Sequence, residues 1–378
     1  MWSKRIAVSS FFFVNGFLYA SWTSRLPEIQ RFFNIGNAQL GTLLFVLAIG
    51  ALISMPFSGW LTTRLGSHRI TQIAGLVFCA LVMLITIYPD IRLVSVIFVF
   101  VGLASGAMDV AMNGQAVYVE RLWNKPIMSS FHAVFSIGMA LGAAAGALFA
   151  KFHFQLQTHF MIVGGVGLLW LIFASIYLIK DEQSESKSTE SESHFVLPTK
   201  AILPLGIIGF CGMTGEGSMA DWSAIYMNKV LQQTEAFGAI AFGAFGVAMT
   251  IGRIFGDYFT LKLGKRKLLI IDSVLSVVGL GIVLSFSSEW LALGGFFLVG
   301  LGLSTVVPIV YSTAGNTEGV IPSVGIAMAT TIGYAGFFVG PPTIGFLADT
   351  FGLRIGLCFS LTLFLIMLFL VSRVKIKD

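Results

Sequence analysis

The sequence predicts an all-α membrane protein with twelve transmembrane helices in two pseudo-symmetric six-helix bundles. Three observations predict this fold class: the composition, the distribution of basic residues and an internal repeat. Of 378 residues, 56% are hydrophobic and only 11% are charged, whereas soluble domains carry about 25% charged residues. The composition therefore places the chain in a lipid bilayer.

Long apolar segments give the number of helices. A helix that crosses a bilayer needs about 20 mostly apolar residues, and twelve segments meet this requirement. The predicted segments are 6–26, 39–61, 70–88, 93–118, 130–150, 160–179, 202–229, 237–260, 267–285, 291–313, 324–348 and 355–373.

The basic residues give the orientation. If the N-terminus lies in the cytoplasm, sixteen of the 23 Lys and Arg residues fall on the cytoplasmic side and six on the other side. Cytoplasmic loops carry such an excess of positive charge. The pattern predicts a multi-pass protein of the bacterial inner membrane with both termini in the cytoplasm.

One long polar segment, KDEQSESKSTESESHFVLPTK (180–200), divides the chain. It is rich in Ser and Glu, which predicts a flexible tether; a regulatory role is the less favoured alternative. The predicted organisation is an N-terminal six-helix bundle (1–180), a cytoplasmic linker (181–200) and a C-terminal six-helix bundle (201–378).

The two halves repeat one another at an offset of about 200 residues. ASWTS (20–24) aligns with ADWSA (220–224), and RLGSHR (64–69) aligns with KLGKRK (262–267). Duplicated halves are typical of secondary transporters. Together with twelve segments and a central linker, the repeat predicts a transporter.

The segment GWLTTRLGSHR (59–69) resembles the loop between helices two and three of the major facilitator superfamily, whose pattern is G-x-L-a-D-R-x-G-r-[K/R]. The matching residues are Gly59, Leu61, Arg64, Gly66 and Arg69. Thr63 stands where the family has Asp. The resemblance implies two six-helix bundles around a central cavity, alternating between inward-open and outward-open states.

Charged residues near this loop and near the end of the eighth segment are interpreted as gating residues. Arg64 and Arg69 can cap carbonyls at a helix end or pair with a carboxylate across the bundle interface. The alternative is that they only hold the loop in the cytoplasm, and we expect both. Arg253 and Asp257 lie one helical turn apart, a spacing that allows an ion pair. The predicted gating set is Gly59, Arg64, Gly66, Arg69, Glu120, Arg253 and Asp257.

Asp109 lies inside the fourth segment, where a charged side chain costs about 2.5–3.5 kcal/mol on insertion scales. At 100° per residue, Gly102, Gly106, Asp109, Asn113 and Glu120 form a stripe about 60° wide. We expect this face to look into the bundle or the cavity, where Asp109 takes up and releases a proton between states. The alternative is a polar contact that only fixes packing.

The spacing DVAMN (109–113) resembles the ETAAN element in helix four of fucose–proton symporters. In that family the acid is linked to proton coupling and the Asn to sugar binding, which implies these roles for Asp109 and Asn113. This chain lacks a Pro after Asn113, and its first helix lacks the second acidic residue of that family.

Polar and aromatic residues elsewhere are candidates for substrate contacts. Asn15, Tyr19 and Trp22 recur at i, i+4 and i+7 on the first helix, a stripe that suits either a sugar-like ligand or ordinary helix packing. The predicted substrate-binding set is Asn15, Tyr19, Trp22, Asn113, Trp222 and Tyr311. His132, at the start of helix five, either titrates near neutrality or makes a helix-end hydrogen bond.

The seventh helix contains GFCGMTGEGSMADWSAIY (209–226), whose four glycines predict an interrupted helix. Broken helices near the bilayer midplane mark binding sites in transporters. Glu216 lies in this stretch and is the second candidate, after Asp109, for contact with a proton or substrate.

Other classes of function are disfavoured. The chain has no HExxH zinc motif and no P-loop, so neither a zinc protease nor an ATP-driven pump is expected. No cofactor, metal or nucleic acid is predicted, and the expected state is a monomer. Three hypotheses remain: a proton-coupled symporter of a sugar-like solute, a proton-driven exporter of amphipathic compounds, and a non-transporting receptor or scaffold.

Overall fold

The computed structural model describes residues 1–180, 199–374 and 376. In these ranges all regular secondary structure is helical. The predicted linker at 181–200 lies almost entirely outside the described residues. The helices are α1 (Trp2–Thr23), α2 (Leu26–Phe32), α3 (Asn37–Leu65), α4 (Ser67–Leu84), α5 (Ile91–Trp123), α6 (Met128–Lys151), α7 (Leu156–Ser175), α8 (Leu203–Lys229), α9 (Glu235–Leu263), α10 (Lys265–Ser285), α11 (Glu289–Leu303), α12 (Val306–Gly315), α13 (Pro322–Phe351) and α14 (Leu353–Arg373).

These helices correspond to the twelve predicted segments. The short α2 follows α1, and α11 and α12 together form one interrupted segment. Eleven helical segments among the described residues are long and apolar enough to cross a bilayer. Helix α8 is less apolar, but its 27 residues exceed the roughly 20 that a crossing needs. The prediction of an all-α, membrane-spanning protein is confirmed.

The described helices form two compact units. The described residues of unit 1 fall within Met1–Asn124, Val134–Leu197 and Gly319–Ala327. Those of unit 2 fall within Lys125–Ala133, Pro198–Glu318 and Met328–Asp378. The first turns of α6 therefore belong to unit 2, and the first turns of α13 belong to unit 1.

Two equivalent turns reproduce the sequence repeat in three dimensions. Gly66 joins α3 to α4 with φ 86° and ψ 146°, and Gly264 joins α9 to α10 with φ 79° and ψ 156°. Residues with a Cβ rarely adopt this backbone region, whereas glycine enters it without steric cost. The aligned segments RLGSHR and KLGKRK thus end and restart a helix in the same way.

The predicted stripe on α5 is in large part a packing face in unit 1. A Cβ on Gly102 would collide with the carbonyl of Leu47 in α3, and one on Gly106 would collide with Ala51 and Ser54. Small residues allow helix backbones to approach closely in membranes. The glycines of the stripe therefore bring α3 and α5 together.

The prediction that the seventh helix is interrupted is wrong, because α8 runs without a break from Leu203 to Lys229. Its glycines make room for bulky neighbours instead. A Cβ on Gly215 would collide with the Phe364 ring, and one on Gly217 would lie 2.9 Å from Phe337. Glycine in a membrane helix can therefore serve close packing against a neighbour and need not indicate a break in the helix.

The interruption lies in the tenth segment, between α11 and α12. Pro308 explains it, since proline has no backbone N–H and its ring clashes with the carbonyl of the residue four positions earlier. That residue is Ser304, directly after the last residue of α11. Proline is tolerated in the first turn of a helix, and Pro308 lies in the first turn of α12.

Candidate functional site

The Asp109 and Asn113 side chains of α5 form a hydrogen-bonded pair in unit 1. The Asn113 amide nitrogen donates to the Asp109 backbone carbonyl at 2.8 Å and to the Asp109 carboxylate at 3.2 Å. Asp109 is half-buried, whereas Asn113 is fully buried. The Asn113 amide oxygen has no hydrogen-bond partner among the described residues. Asn113 therefore orients Asp109 and keeps one acceptor available.

Helix α1 lies beside this pair. The amide nitrogen of Asn15 is 3.9 Å from the sulfur of Met112, which immediately precedes Asn113. Tyr19, one turn further along α1, is 37% exposed. The predicted stripe on α1 thus places Asn15 against Met112 of α5 and leaves Tyr19 accessible.

Trp22 serves packing in this structure. It is only 1% exposed, with its ring 5.4 Å from both the Tyr19 ring and the Phe98 ring in edge-to-face arrangements. Such aromatic pairs stabilise a core beyond the area they bury. The packing alternative therefore describes Trp22 here, while Tyr19 offers an open ring.

Glu216 and Arg253 form an ion pair in unit 2. A terminal guanidinium nitrogen of Arg253 on α9 lies 3.5 Å from a carboxylate oxygen of Glu216 on α8. The Arg253 side chain is 7% exposed and that of Glu216 is 29% exposed. Sequence spacing suggested Asp257 as the partner of Arg253; the structure shows Glu216 in contact with it, on a neighbouring helix.

Asp257 contacts the beginning of α6. Its carboxylate accepts a hydrogen bond from the Ser130 backbone N–H at 3.1 Å. A Cβ on the preceding Gly256 would lie 2.7 Å from Ser129, so the two helices meet closely. Negative charge at a helix N-terminus is favourable because unpaired N–H groups and the helix dipole converge there. Asp257 therefore stabilises the first turn of α6 in unit 2.

The other predicted binding residues of unit 2 differ in accessibility. Tyr311 on α12 is buried, with its ring centroid 5.8 Å from the ring of His132 at the start of α6. Trp222 on α8 is partly exposed, and a Cβ on Gly345 would lie 3.7 Å from its ring. In this structure Trp222 is open to a solute, whereas Tyr311 is covered.

The remaining predicted gating residues take up varied environments in unit 1. A Cβ on Gly59 would lie 2.6 Å from the Ala327 side chain in the first turns of α13. Arg64 is exposed and lies 4.5 Å from the centre of the Trp60 ring, a cation–π contact. Arg69 is exposed and Glu120 is buried. Gly59 is thus a close-packing position.

Sequence reasoning missed Asp272, which lies on α10 in unit 2 and is 3% exposed. Its carboxylate accepts a hydrogen bond from the Thr305 hydroxyl, at the interruption between α11 and α12. A lone acid inside the apolar segment 267–285 was the signal available in the sequence. A buried carboxylate needs such a partner because its desolvation is costly.

Comparisons with known proteins extend over nearly the whole chain. An uncharacterised MFS-type transporter of Yersinia pestis is 32% identical over 96% of this chain and 93% of its own length. The membrane protein MosC of Rhizobium meliloti is 33% identical over 93% of this chain and 86% of its own. More distant relatives are a cis,cis-muconate transport protein of Acinetobacter baylyi and the quinolone resistance protein NorA of Staphylococcus aureus, at 24% and 21% identity.

The fold is also similar to a solved structure. FucP, a major facilitator superfamily transporter in the outward conformation, superimposes with a TM-score of 0.83 and 15% sequence identity, covering 98% of each chain. The family model for the Major Facilitator Superfamily matches residues 8–319. Members of this family are transporters and not enzymes. The chain therefore belongs to the major facilitator superfamily of membrane transporters.

Proposed function

We propose that the protein is a proton-coupled symporter that moves a small, sugar-like polar solute by alternating access. Asp109 and Glu216 carry the proton in this proposal. Asn15, Tyr19, Asn113 and Trp222 contact the solute. Trp22 and Tyr311 contact the solute only in a conformation in which their rings are exposed.

The observation that carries the proposal is the pair formed by Asp109 and Asn113. A half-buried carboxylate within a membrane helix marks an ion or substrate pathway, because an acid there has a high energetic cost. Asn113 donates to this carboxylate and retains a buried amide oxygen that has no partner among the described residues. A solute hydroxyl would satisfy this oxygen.

A similar structure supports symport in particular. A second structure of FucP is described as a fucose:proton symporter and superimposes with a TM-score of 0.79 over 98% of this chain. At 16% identity this likeness concerns the fold. The acid and amide at positions 109 and 113 extend the likeness to the residues that the proposal uses.

The proposal also concerns topology and gating. Both termini and the 181–200 linker lie in the cytoplasm, between bundles formed by 1–180 and 201–378, and the protein works as a monomer in the bacterial inner membrane. The gate consists of small and charged residues at the helix ends. They are Gly59, Arg64, Gly66, Arg69, Glu120, Arg253 and Asp257.

The test is a measurement of lumenal pH in proteoliposomes while pools of sugars and small metabolites are added outside. We expect one pool to acidify the lumen of wild-type vesicles, and we expect Asp109→Asn to remove this response. Silence with every pool would contradict proton-coupled symport of these solutes.

A second candidate function is proton-driven export of amphipathic compounds. The similarity to NorA, which covers 86% of this chain at 21% identity, favours it. Expression of the protein in a drug-sensitive bacterium would then raise resistance to cationic dyes and quinolones. Unchanged resistance, together with solute-driven proton entry in vesicles, would leave symport as the function.

A further inference from the structure

We infer that the beginning of α2 and the beginning of α7 together form a binding site for a small inorganic anion of halide size. Arg25 and His159 are the two polar components of this site. None of the residues proposed to contact the proton or the solute belongs to it, so the inference goes beyond the proposed transport function. It follows from the buried, unpartnered nitrogens of both side chains and from the contacts that join them.

The first step is the environment of Arg25, which precedes α2 and is only 2% exposed. One terminal guanidinium nitrogen, Nη2, donates to the Glu28 carboxylate and, at 3.1 Å, to the Phe154 backbone carbonyl. The other two nitrogens, Nε and Nη1, are buried and have no hydrogen-bond partner among the described residues. Because a buried donor on a charged group is costly to leave unpaired, we expect an acceptor beside these nitrogens.

The second step is the environment of His159, which lies in the first turn of α7 and is fully buried. Its ring stacks on the Phe149 ring at 4.3 Å between centroids, and the Phe160 ring lies 5.3 Å away. Neither ring nitrogen has a hydrogen-bond partner among the described residues. A neutral imidazole has one N–H donor and an imidazolium has two, so His159 also needs an acceptor.

The third step is the chain of contacts that joins the two side chains within unit 1. The Phe154 carbonyl accepts from Arg25, and the Phe154 ring lies 5.2 Å from the Phe149 ring, which stacks on His159. The charges of Arg25 and Glu28 both act on His159. Arg25 and His159 therefore belong to one cluster, built where α6 ends and α7 begins.

The fourth step is the charge of this cluster. In the segments 20–36 and 146–160, Arg25, Arg31 and Lys151 are positive and Glu28 alone is negative. Glu28 is 28% exposed, so water screens its charge, whereas the charge of Arg25 is buried. The excess of positive charge favours a further anion.

The fifth step is the size and class of the ligand. The unpartnered atoms are mainly donors, and hydrogen bonds from a charged donor to an anion are stronger than those to a neutral acceptor. The edges of the surrounding phenylalanine rings carry partial positive charge, which also favours an anion. Because the nitrogens are buried, the ligand has to be small, and a halide such as chloride suits the site better than a carboxylate or a phosphate.

The experiment uses the purified full-length protein and chloride as the probe. Sodium chloride is compared with sodium isethionate, whose anion is much larger, at equal ionic strength and pH. Binding is measured by the unfolding temperature and by the line width of the ³⁵Cl NMR signal. We expect chloride to raise the unfolding temperature of wild type in a saturable manner, since a ligand that binds only the folded state stabilises it, and to show a broadened signal.

Four variants locate the site. Glu28→Gln removes the neighbouring negative charge, so we expect it to bind chloride about tenfold more tightly, which corresponds to about 1.4 kcal/mol. The double variant Arg25→Gln with Glu28→Gln removes both charges and should bind no chloride. His159→Phe keeps an aromatic ring against Phe149 and should bind chloride more weakly than wild type. Arg31→Gln changes an exposed arginine of α2 and should bind chloride as wild type does.

Two results would overturn the inference. One is a saturable chloride effect of equal size in wild type and the double variant, which would place the ion elsewhere. The other is the absence of a saturable chloride effect in both wild type and Glu28→Gln. If the double variant does not fold, His159→Phe decides the matter, and chloride binding equal to that of wild type overturns the inference.

Discussion

The two candidate acids occupy contrasting environments in the two units. Asp109 in unit 1 receives a hydrogen bond from Asn113 on its own helix, whereas Glu216 in unit 2 faces the guanidinium of Arg253 on a neighbouring helix. The described contact of the first acid is with a neutral amide, and that of the second is with a positive charge. A neutral donor leaves a carboxylate able to change its charge, while an ion pair ties its charge to that of the partner.

The same contrast recurs where the first turns of α6 and α13 pack. In unit 1, Gly59 meets Ala327 of α13 through the absence of a side chain. In unit 2, Asp257 meets Ser130 of α6 through a charged hydrogen bond. Both units have a close glycine contact at this place, since Gly256 packs against Ser129 in unit 2, and unit 2 adds the charged hydrogen bond of Asp257.

The largest expected effect is that of Asp109→Asn on transport. The variant should lose all accumulation against a gradient and retain counterflow exchange, because an amide binds solute but carries no proton. Uptake and counterflow in proteoliposomes measure the two activities separately. Asp349→Asn, which changes an exposed acid on α13, serves as the control. Uphill transport by Asp109→Asn would show that Asp109 does not carry the coupled proton.

The next largest effect is on stability and tests the ion pair between Glu216 and Arg253. Glu216→Gln removes the carboxylate that lies 3.5 Å from the Arg253 guanidinium and should lower the free energy of unfolding by up to about 3 kcal/mol. The partial exposure of Glu216 keeps this loss below the full cost of breaking a buried pair. The double variant with Arg253→Gln should recover most of this loss. Thermal unfolding in detergent measures both. A double variant less stable than Glu216→Gln would show that the charges contribute independently.

A smaller effect tests the steric contact in unit 1. Gly59→Val places methyl groups against Ala327, and overpacking of this kind costs about 1–3 kcal/mol. We expect a lower unfolding temperature and slower transport. Gly41→Ala is the matched control, since a Cβ there meets nothing within 4 Å. Equal unfolding temperatures and transport rates of the two variants would mean that the helices around Gly59 and Ala327 can move apart without loss of stability.

The smallest expected effect is that of Asn113→Ala. Removing its amide takes one hydrogen bond from the Asp109 carboxylate, worth about 1 kcal/mol, and should slow proton-coupled uptake by up to about tenfold. Ser105→Ala, which removes a hydroxyl that donates to the Gly102 carbonyl of the same helix, should have no effect. Complete loss of uptake in Asn113→Ala would show that the proposed contact of Asn113 with the solute matters more than its hydrogen bond to Asp109.

The sequence predicts the fold well because the bilayer imposes strong rules. Helix length, basic-residue asymmetry and the repeat around Gly66 and Gly264 are all local in the chain. The contact between Arg253 and Glu216 is not local, since Glu216 lies 37 positions earlier on another helix. The spacing of Arg253 and Asp257 could not indicate this contact because periodicity describes one helix at a time.

Glycines were a second source of error. Four glycines in α8 suggested an interruption, but Gly215 and Gly217 make room for Phe364 and Phe337. Sequence alone does not show which ring stands opposite a glycine. Pro308, by contrast, does indicate the interruption between α11 and α12, because a proline disrupts the residues just before it in the chain.

The contact between Asp272 and Thr305 bears on how the protein is made. An acid near the middle of an isolated helix opposes transfer from the translocon into lipid by about 2.5–3.5 kcal/mol, and Thr305 belongs to the following transmembrane segment. Helix α10 would then stay beside the insertion machinery until the α11–α12 segment has been synthesised. We therefore expect Asp272 and Thr305 to pair while the chain is still being inserted, before synthesis of the later helices.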